Sequence, residues 1–177
     1  MTGIRKTGLV HVVSGILLWL VAGPLLAATL EITDGMVLDR LPAGPYMSVY
    51  TGVGTPADAR AASALPEQDF VPVGKASPLR MMQQQWFRFS IRNASSSPRS
   101  LILDFDQALY SRIDWYSRSG NSSKALVTGQ SYPHASRDVD YNHFAFRLDI
   151  APGETLTADF SIYTPYAALF VPVFSDS

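Results

Sequence analysis

Trp86-Phe87-Arg88-Phe89-Ser90-Ile91-Arg92-Asn93 is the stretch that decides the fold. Phe87, Phe89 and Ile91 alternate with Arg88, Ser90 and Arg92, a period of two that marks a strand with one buried and one wet face. The strand stops at Asn93, and Ala94-Ser95-Ser96-Ser97-Pro98 supplies turn-forming residues. A second alternating run, Leu101-Ile102-Leu103-Asp104-Phe105, follows at once. The pair predicts antiparallel sheet, with Phe87, Phe89 and Ile91 in the core and Trp86 and Arg88 on the polar side.

Working outward, most of the chain reads as short strands between turns. Met36-Val37-Leu38 and Tyr46 to Tyr50 flank the turn Pro42-Ala43-Gly44-Pro45. Thr55-Pro56 reads as a helix start, with Thr55 as cap, and predicts one short helix over Ala57 to Ala64. Phe70 to Val73 reads as extended and Gly74 to Pro78 as loop. Arg112 to Tyr116, Lys124 to Thr128, His143 to Ile150, Thr155 to Tyr163 and Leu169 to Phe174 complete the strands, and Gly129 to Tyr141 forms a long polar and aromatic loop. Strands at short intervals with one minor helix predict an all-β fold, a β-sandwich or jelly roll.

The chain has 177 residues, 47% of them apolar, which is enough for one domain with a packed core. Residues 1–28 read as a signal peptide or N-terminal anchor, leaving a single extracytoplasmic domain over 29–177. Arg5 and Lys6 precede the apolar run Leu9 to Val21, and Leu25-Leu26-Ala27-Ala28 offers a cleavage site. His11, Ser14, Gly15 and Gly23-Pro24 favour cleavage over a membrane span. Cysteine is absent, which excludes disulfides and thiol chemistry. Without Arg5 and Lys6 the 14 basic residues fall to 12 against 15 acids, a net of −3. That small, scattered charge gives no nucleic-acid partner.

Polar and aromatic side chains concentrate in the loop Ser131 to His143, which holds Tyr132, His134, Arg137, Asp138, Asp140, Tyr141 and His143. Aromatic faces stack on sugar rings while charged and polar groups bond hydroxyls, so the loop is a candidate binding site for a small-molecule or carbohydrate ligand. Trp86, Arg88 and Trp115 are candidate additions, although Trp115 also reads as core, and Arg88 reads equally as the partner of a cross-strand Asp104 or Asp114. Asp138, Asp140 and His143 have metal-ligating chemistry, but no second ligand cluster accompanies them, and no metal or cofactor is assigned. A hydrolase needs placed carboxylates or a nucleophile with its base. Asp104 and Asp106 read instead as solvated face or turn, and neither nucleophile elbow nor phosphate loop occurs. The sequons at Asn93 and Asn121 read as turn sequences.

The aromatic pair, arginine, aromatic and terminal asparagine of Trp86 to Asn93 resemble one family. It is the type 2 extracellular sensor domain of bacterial seven-transmembrane receptors with diverse intracellular signalling modules, 7TMR-DISM. Gly44-Pro45-Tyr46 to Tyr50, Phe70, Leu101 to Phe105, Ile113 to Tyr116, Arg137 with Asn142 to Phe146, Pro152-Gly153-Glu154 and Leu169 to Val173 extend the resemblance over about residues 30 to 175. Ser161 departs from it, where the family often has arginine. The resemblance implies a jelly roll like that of carbohydrate-binding modules and a non-catalytic, ligand-sensing role in the periplasm, joined to the membrane part of a receptor if the chain is a fragment. A free-standing exported carbohydrate-binding or adhesion module is the second expectation, and an exported hydrolase the third.

Overall fold

The computed structural model describes residues 27–177. The predicted leader therefore lies, but for Ala27 and Ala28, outside the described residues. In chain order the strands are β1 Leu30–Ile32, β2 Leu41–Pro42, β3 Met47–Tyr50, β4 Phe70–Pro72, β5 Ser77–Leu79, β6 Gln83–Asn93, β7 Arg99–Asp104, β8 Arg112–Ser119, β9 Ser122–Thr128, β10 Ala145–Ile150, β11 Thr155–Thr164, β12 Ala168–Phe170 and β13 Val173–Asp176. One α-helix, α1 Ala59–Ala62, lies between β3 and β4.

The strands form a sandwich. One sheet runs β4-β3-β6-β11-β8-β9, with β1 alongside β6; the other runs β10-β7-β13-β2. The segment read first is the middle of the large sheet. It pairs antiparallel with β11 along its whole length, and its other edge is shared by β3 and by β1, which runs parallel to it from Leu30↔Ile91 to Ile32↔Asn93. Alternation sends Phe87, Phe89 and Ile91 inward beside Trp115 and Phe160, where they meet Leu101, Leu103, Phe146 and Phe174 from the second sheet. Trp115 stacks on Phe146 across the gap with centroids 4.1 Å apart and planes 6° apart. Phe89 meets Phe174 edge-on at 5.6 Å. Trp115 is therefore core and not a ligand platform.

Several local expectations change. The predicted strand at Met36 to Leu38 is coil, and the N-terminal strand is Leu30–Ile32 instead. The helix shrinks to Ala59–Ala62, and its cap is Asp58, whose Oδ1 accepts the Ala61 N–H at 2.7 Å; Thr55 lies too far upstream. The predicted loop before Pro78 ends in β5, which pairs with β12. The final run breaks into β12 and β13 around Pro172, whose carbonyl accepts the Ala43 N–H at 2.8 Å.

Asn93 ends β6 for a reason visible in its bonds. It is fully buried, its amide donates to the carbonyls of Ser97 and Ile150 at 2.9 Å each, and its Oδ1 accepts from the N–H and hydroxyl of Ser95. This supports the turn reading of its sequon.

Candidate functional site

The polar side of β6 is covered at Trp86 and Arg88 and wet at Arg92. Alternation points Trp86 and Arg88 away from the sandwich core, but the segment from α1 to β4 lies over them. Trp86 is buried with Ala59 and Ala62, packed by Tyr50, Leu65 and Tyr116. Arg88 is only 7% exposed and its guanidinium is filled by protein acceptors. Nε donates to Asp159 Oδ1 at 2.7 Å, Nη1 to Glu67 Oε2 at 2.8 Å and to the Leu65 carbonyl at 3.3 Å, and Nη2 to the Ala62 carbonyl at 2.9 Å. Its carbon lies 4.1 Å from the centre of the Phe70 ring. Asp159 sits directly opposite Arg88 in the β6–β11 register, so the cross-strand pairing expected of Arg88 exists, with Asp159 in place of Asp104 or Asp114. Burial pushes the Asp159 carboxyl up, against the pull of Arg88. Arg88 thus clamps the segment around α1 to the sheet.

Beside this clamp the start of β6 opens into a depression of about 400 Å³. Tyr50, Thr51, Arg80, Gln83, Gln85 and Trp86 line it. Gln84 faces the same space but its amide is occupied, donating to Asp114 Oδ2 at 2.9 Å and to the Ser161 hydroxyl at 2.7 Å. The Trp86 indole N–H has no hydrogen-bond partner among the described residues, although the side chain is 2% exposed. Amides, hydroxyls, a guanidinium and aromatic rings converge here, which is the chemistry that recognises a neutral polar molecule.

The long loop is mostly occupied with itself. Arg137 donates to the carbonyls of Tyr141 and Asn142 and lies 4.9 Å from the Phe144 ring centre. Asp138 accepts the Arg147 N–H at 2.8 Å and pairs with Lys124. His134 and Asp140 approach to 3.7 Å on the exposed surface, and Tyr132 is half-buried. Only Tyr141 and His143 leave this set. They pack edge-to-face at 5.8 Å, and His143 joins Asp104 and Asp106, at the end of β7 and in the turn that follows. The sequence reading kept those aspartates apart from His143. The β7–β10 pairing, which sets Asp104 opposite Ala145, brings them together. The two sites on the large sheet and the loop end do not merge, so Trp86 and Arg88 share no pocket lining with the loop residues.

Fold and geometry together define an all-β sandwich module whose outer sheet face carries a polar depression. The family model for 7TMR-DISM extracellular 2 matches residues 44–175, well over half of the chain, and the chain belongs to that family. It is thereby an extracytoplasmic sensor domain of the kind carried by membrane receptors. No curated protein matches the chain in sequence. Among the described residues no helix is long and apolar enough to cross a membrane.

Proposed function

We propose that the domain is the periplasmic, non-catalytic ligand-sensing part of a bacterial signalling receptor, and that it takes a carbohydrate in the depression at the start of β6. The lining carries this reading. Gln83 and Arg80 offer donors and acceptors suited to sugar hydroxyls, Thr51 keeps an acceptor beyond its bond to the Asp69 carbonyl, and Tyr50 offers a ring face, while the Gln85 amide is held by the Arg80 N–H and the Pro78 carbonyl. The leader over 1–28 supports export. Sensing follows from differential affinity: ligand stabilises one arrangement of the domain, and the membrane part of the receptor responds to that shift. The segment around α1 borders the depression through Tyr50 and Trp86, so the pocket adjoins an element held to the sheet by the Trp86 cluster and the Arg88 clamp.

Thermal-shift screening followed by calorimetry, against neutral sugars and small carboxylates, tests the assignment, because a ligand of the native state raises the midpoint. A neutral sugar should raise it. Gln83→Ala and Arg80→Ala, both at exposed positions, should weaken that binding by roughly tenfold, the loss of one to two hydrogen bonds. Binding of carboxylates alone, or sugar binding unchanged in both variants, would remove the carbohydrate reading.

A further inference from the structure

We propose that Asp104, Asp106 and His143 form a binding site for zinc(II), separate from the depression at β6. One ligand atom from each lies within 4.8 Å of the other two. His143 Nδ1 is buried, has no hydrogen-bond partner among the described residues, and stands 3.7 Å from Asp104 Oδ1 and 3.9 Å from Asp106 Oδ1. Those separations are too long for hydrogen bonds. They are close to what a shared ion needs, since two donors about 2.1 Å from a tetrahedral zinc lie about 3.4 Å apart. On the two histidine–aspartate pairs the closure required is a few tenths of an ångström, and all three ligand atoms already lie within 4.8 Å of one another.

The donors are held in place by backbone. The Phe105 N–H donates to the Phe144 carbonyl at 2.9 Å and the Phe144 N–H to the Gln107 carbonyl at 3.2 Å, which ties the two ligand-bearing segments side by side. Asp104 Oδ1 accepts the Asp106 N–H at 2.7 Å, fixing one carboxylate against the other's backbone. Tyr110 is fully buried within range of the Asp106 charge, and its hydroxyl also has no partner among the described residues. The unpartnered imidazole nitrogen of His143 is thus the polar atom that faces both carboxylates. Two carboxylates and one imidazole suit a borderline ion such as zinc, whereas calcium and magnesium prefer oxygen donors alone. Three protein donors leave a coordination position for solvent or another ligand.

One group opposes the ion. Arg40 pairs with Asp106 Oδ1 at 3.1 Å, with both side chains about half exposed. Zinc must displace this guanidinium or tolerate it nearby, so Arg40 sets the affinity and its removal strengthens binding.

The test is calorimetric titration of chelator-treated protein with zinc, calcium and magnesium chlorides, with thermal unfolding in parallel. Zinc should bind one to one and raise the midpoint. His143→Ala should weaken binding by about tenfold or more, the scale on which support of a metal ligand matters. Arg40→Gln should tighten it severalfold, because the competing positive charge beside Asp106 is gone. His134→Ala, at the exposed pair with Asp140, should leave it unchanged. The proposal fails if zinc does not bind, if calcium or magnesium binds as well as zinc, or if His143→Ala keeps full affinity. It also fails if Arg40→Gln does not tighten binding, or if His134→Ala abolishes it. None of these outcomes bears on sugar binding at β6, so the two assignments stand or fall separately.

Discussion

At the scale of single residues, Arg88 decides most. Its guanidinium joins the β11 carboxylate of Asp159 to Glu67 and to the carbonyls of Ala62 and Leu65, so it serves a sheet strand and the segment around α1 at once. Replacing it by methionine keeps the length and removes every one of those bonds, leaving Asp159 buried at 1% exposure without its counter-charge. Breaking a buried pair from one side costs about 3–5 kcal/mol. Arg88→Met should therefore lower stability by that order in denaturant unfolding, and a loss under about 1 kcal/mol would show that the clamp contributes little. The sequence made Arg88 a polar-side residue with an aspartate partner, but named Asp104 and Asp114. Alternation reveals which side a residue faces; the partner depends on which strand lies alongside and in what register, and β11 is far along the chain. The cover over Trp86 and Arg88 was hidden for a related reason, since α1 is a single short turn whose docking no local pattern reveals.

At the scale of elements, the coil before β2 is instructive. Met36 to Leu38 has the composition of a strand, yet its bonds are made by the end of β13. The Leu38 N–H donates to Asp176 Oδ2 at 2.8 Å, the Asp176 N–H donates to the Leu38 carbonyl at 2.9 Å, and Arg99 holds the other carboxylate oxygen. A side chain thus supplies what a neighbouring strand would have supplied. Burial alone would raise the Asp176 carboxyl, but the Leu38 N–H and Arg99 outweigh it and hold the group below its ordinary value of 3.8. A carboxyl depressed in the folded state contributes stability that is present above the ordinary value and lost as pH falls through the lower, folded one. Asp176→Asn should therefore be less stable than the parent chain at neutral pH, and the gap should close as pH falls from about 5 to below 3. Melting curves at stepped pH measure it, and a gap of constant size would exclude an ionic origin. The neighbouring strands were legible because each buries one row of side chains. The break between β12 and β13 was not, because Phe170 and Val173 are both buried and only the backbone at Pro172 separates them.

At the scale of the whole molecule, the sandwich holds without a covalent staple, since the chain has no cysteine. Stability must come from what the two sheets bury against each other. That much was readable, because the alternating runs mark Phe87, Phe89, Phe146 and Phe160 as inward and their number forces two layers. The pairings were not, and neither was the meeting of Asp104 with His143, which depends on β7 and β10 lying side by side. The contact that joins the layers most directly is Trp115 of β8 on Phe146 of β10, nearly parallel at 4.1 Å, with Trp115 also 5.6 Å from Phe160. Trp115→Ala removes an aromatic ring that both sheets grip, in a place where the surrounding rings belong to strands fixed by their own ladders and cannot close the gap. The expected cost is about 3–5 kcal/mol. At roughly 2–4 °C per kcal/mol for a domain of this size, calorimetry should record a melting point lower by roughly 6–20 °C. Leu169→Ala, at a side chain 51% exposed on β12, should move it by no more than about 2 °C. If the two variants shift the midpoint equally, the inter-sheet stack is not what holds the layers together, and the stability must then reside in the ladders within each sheet.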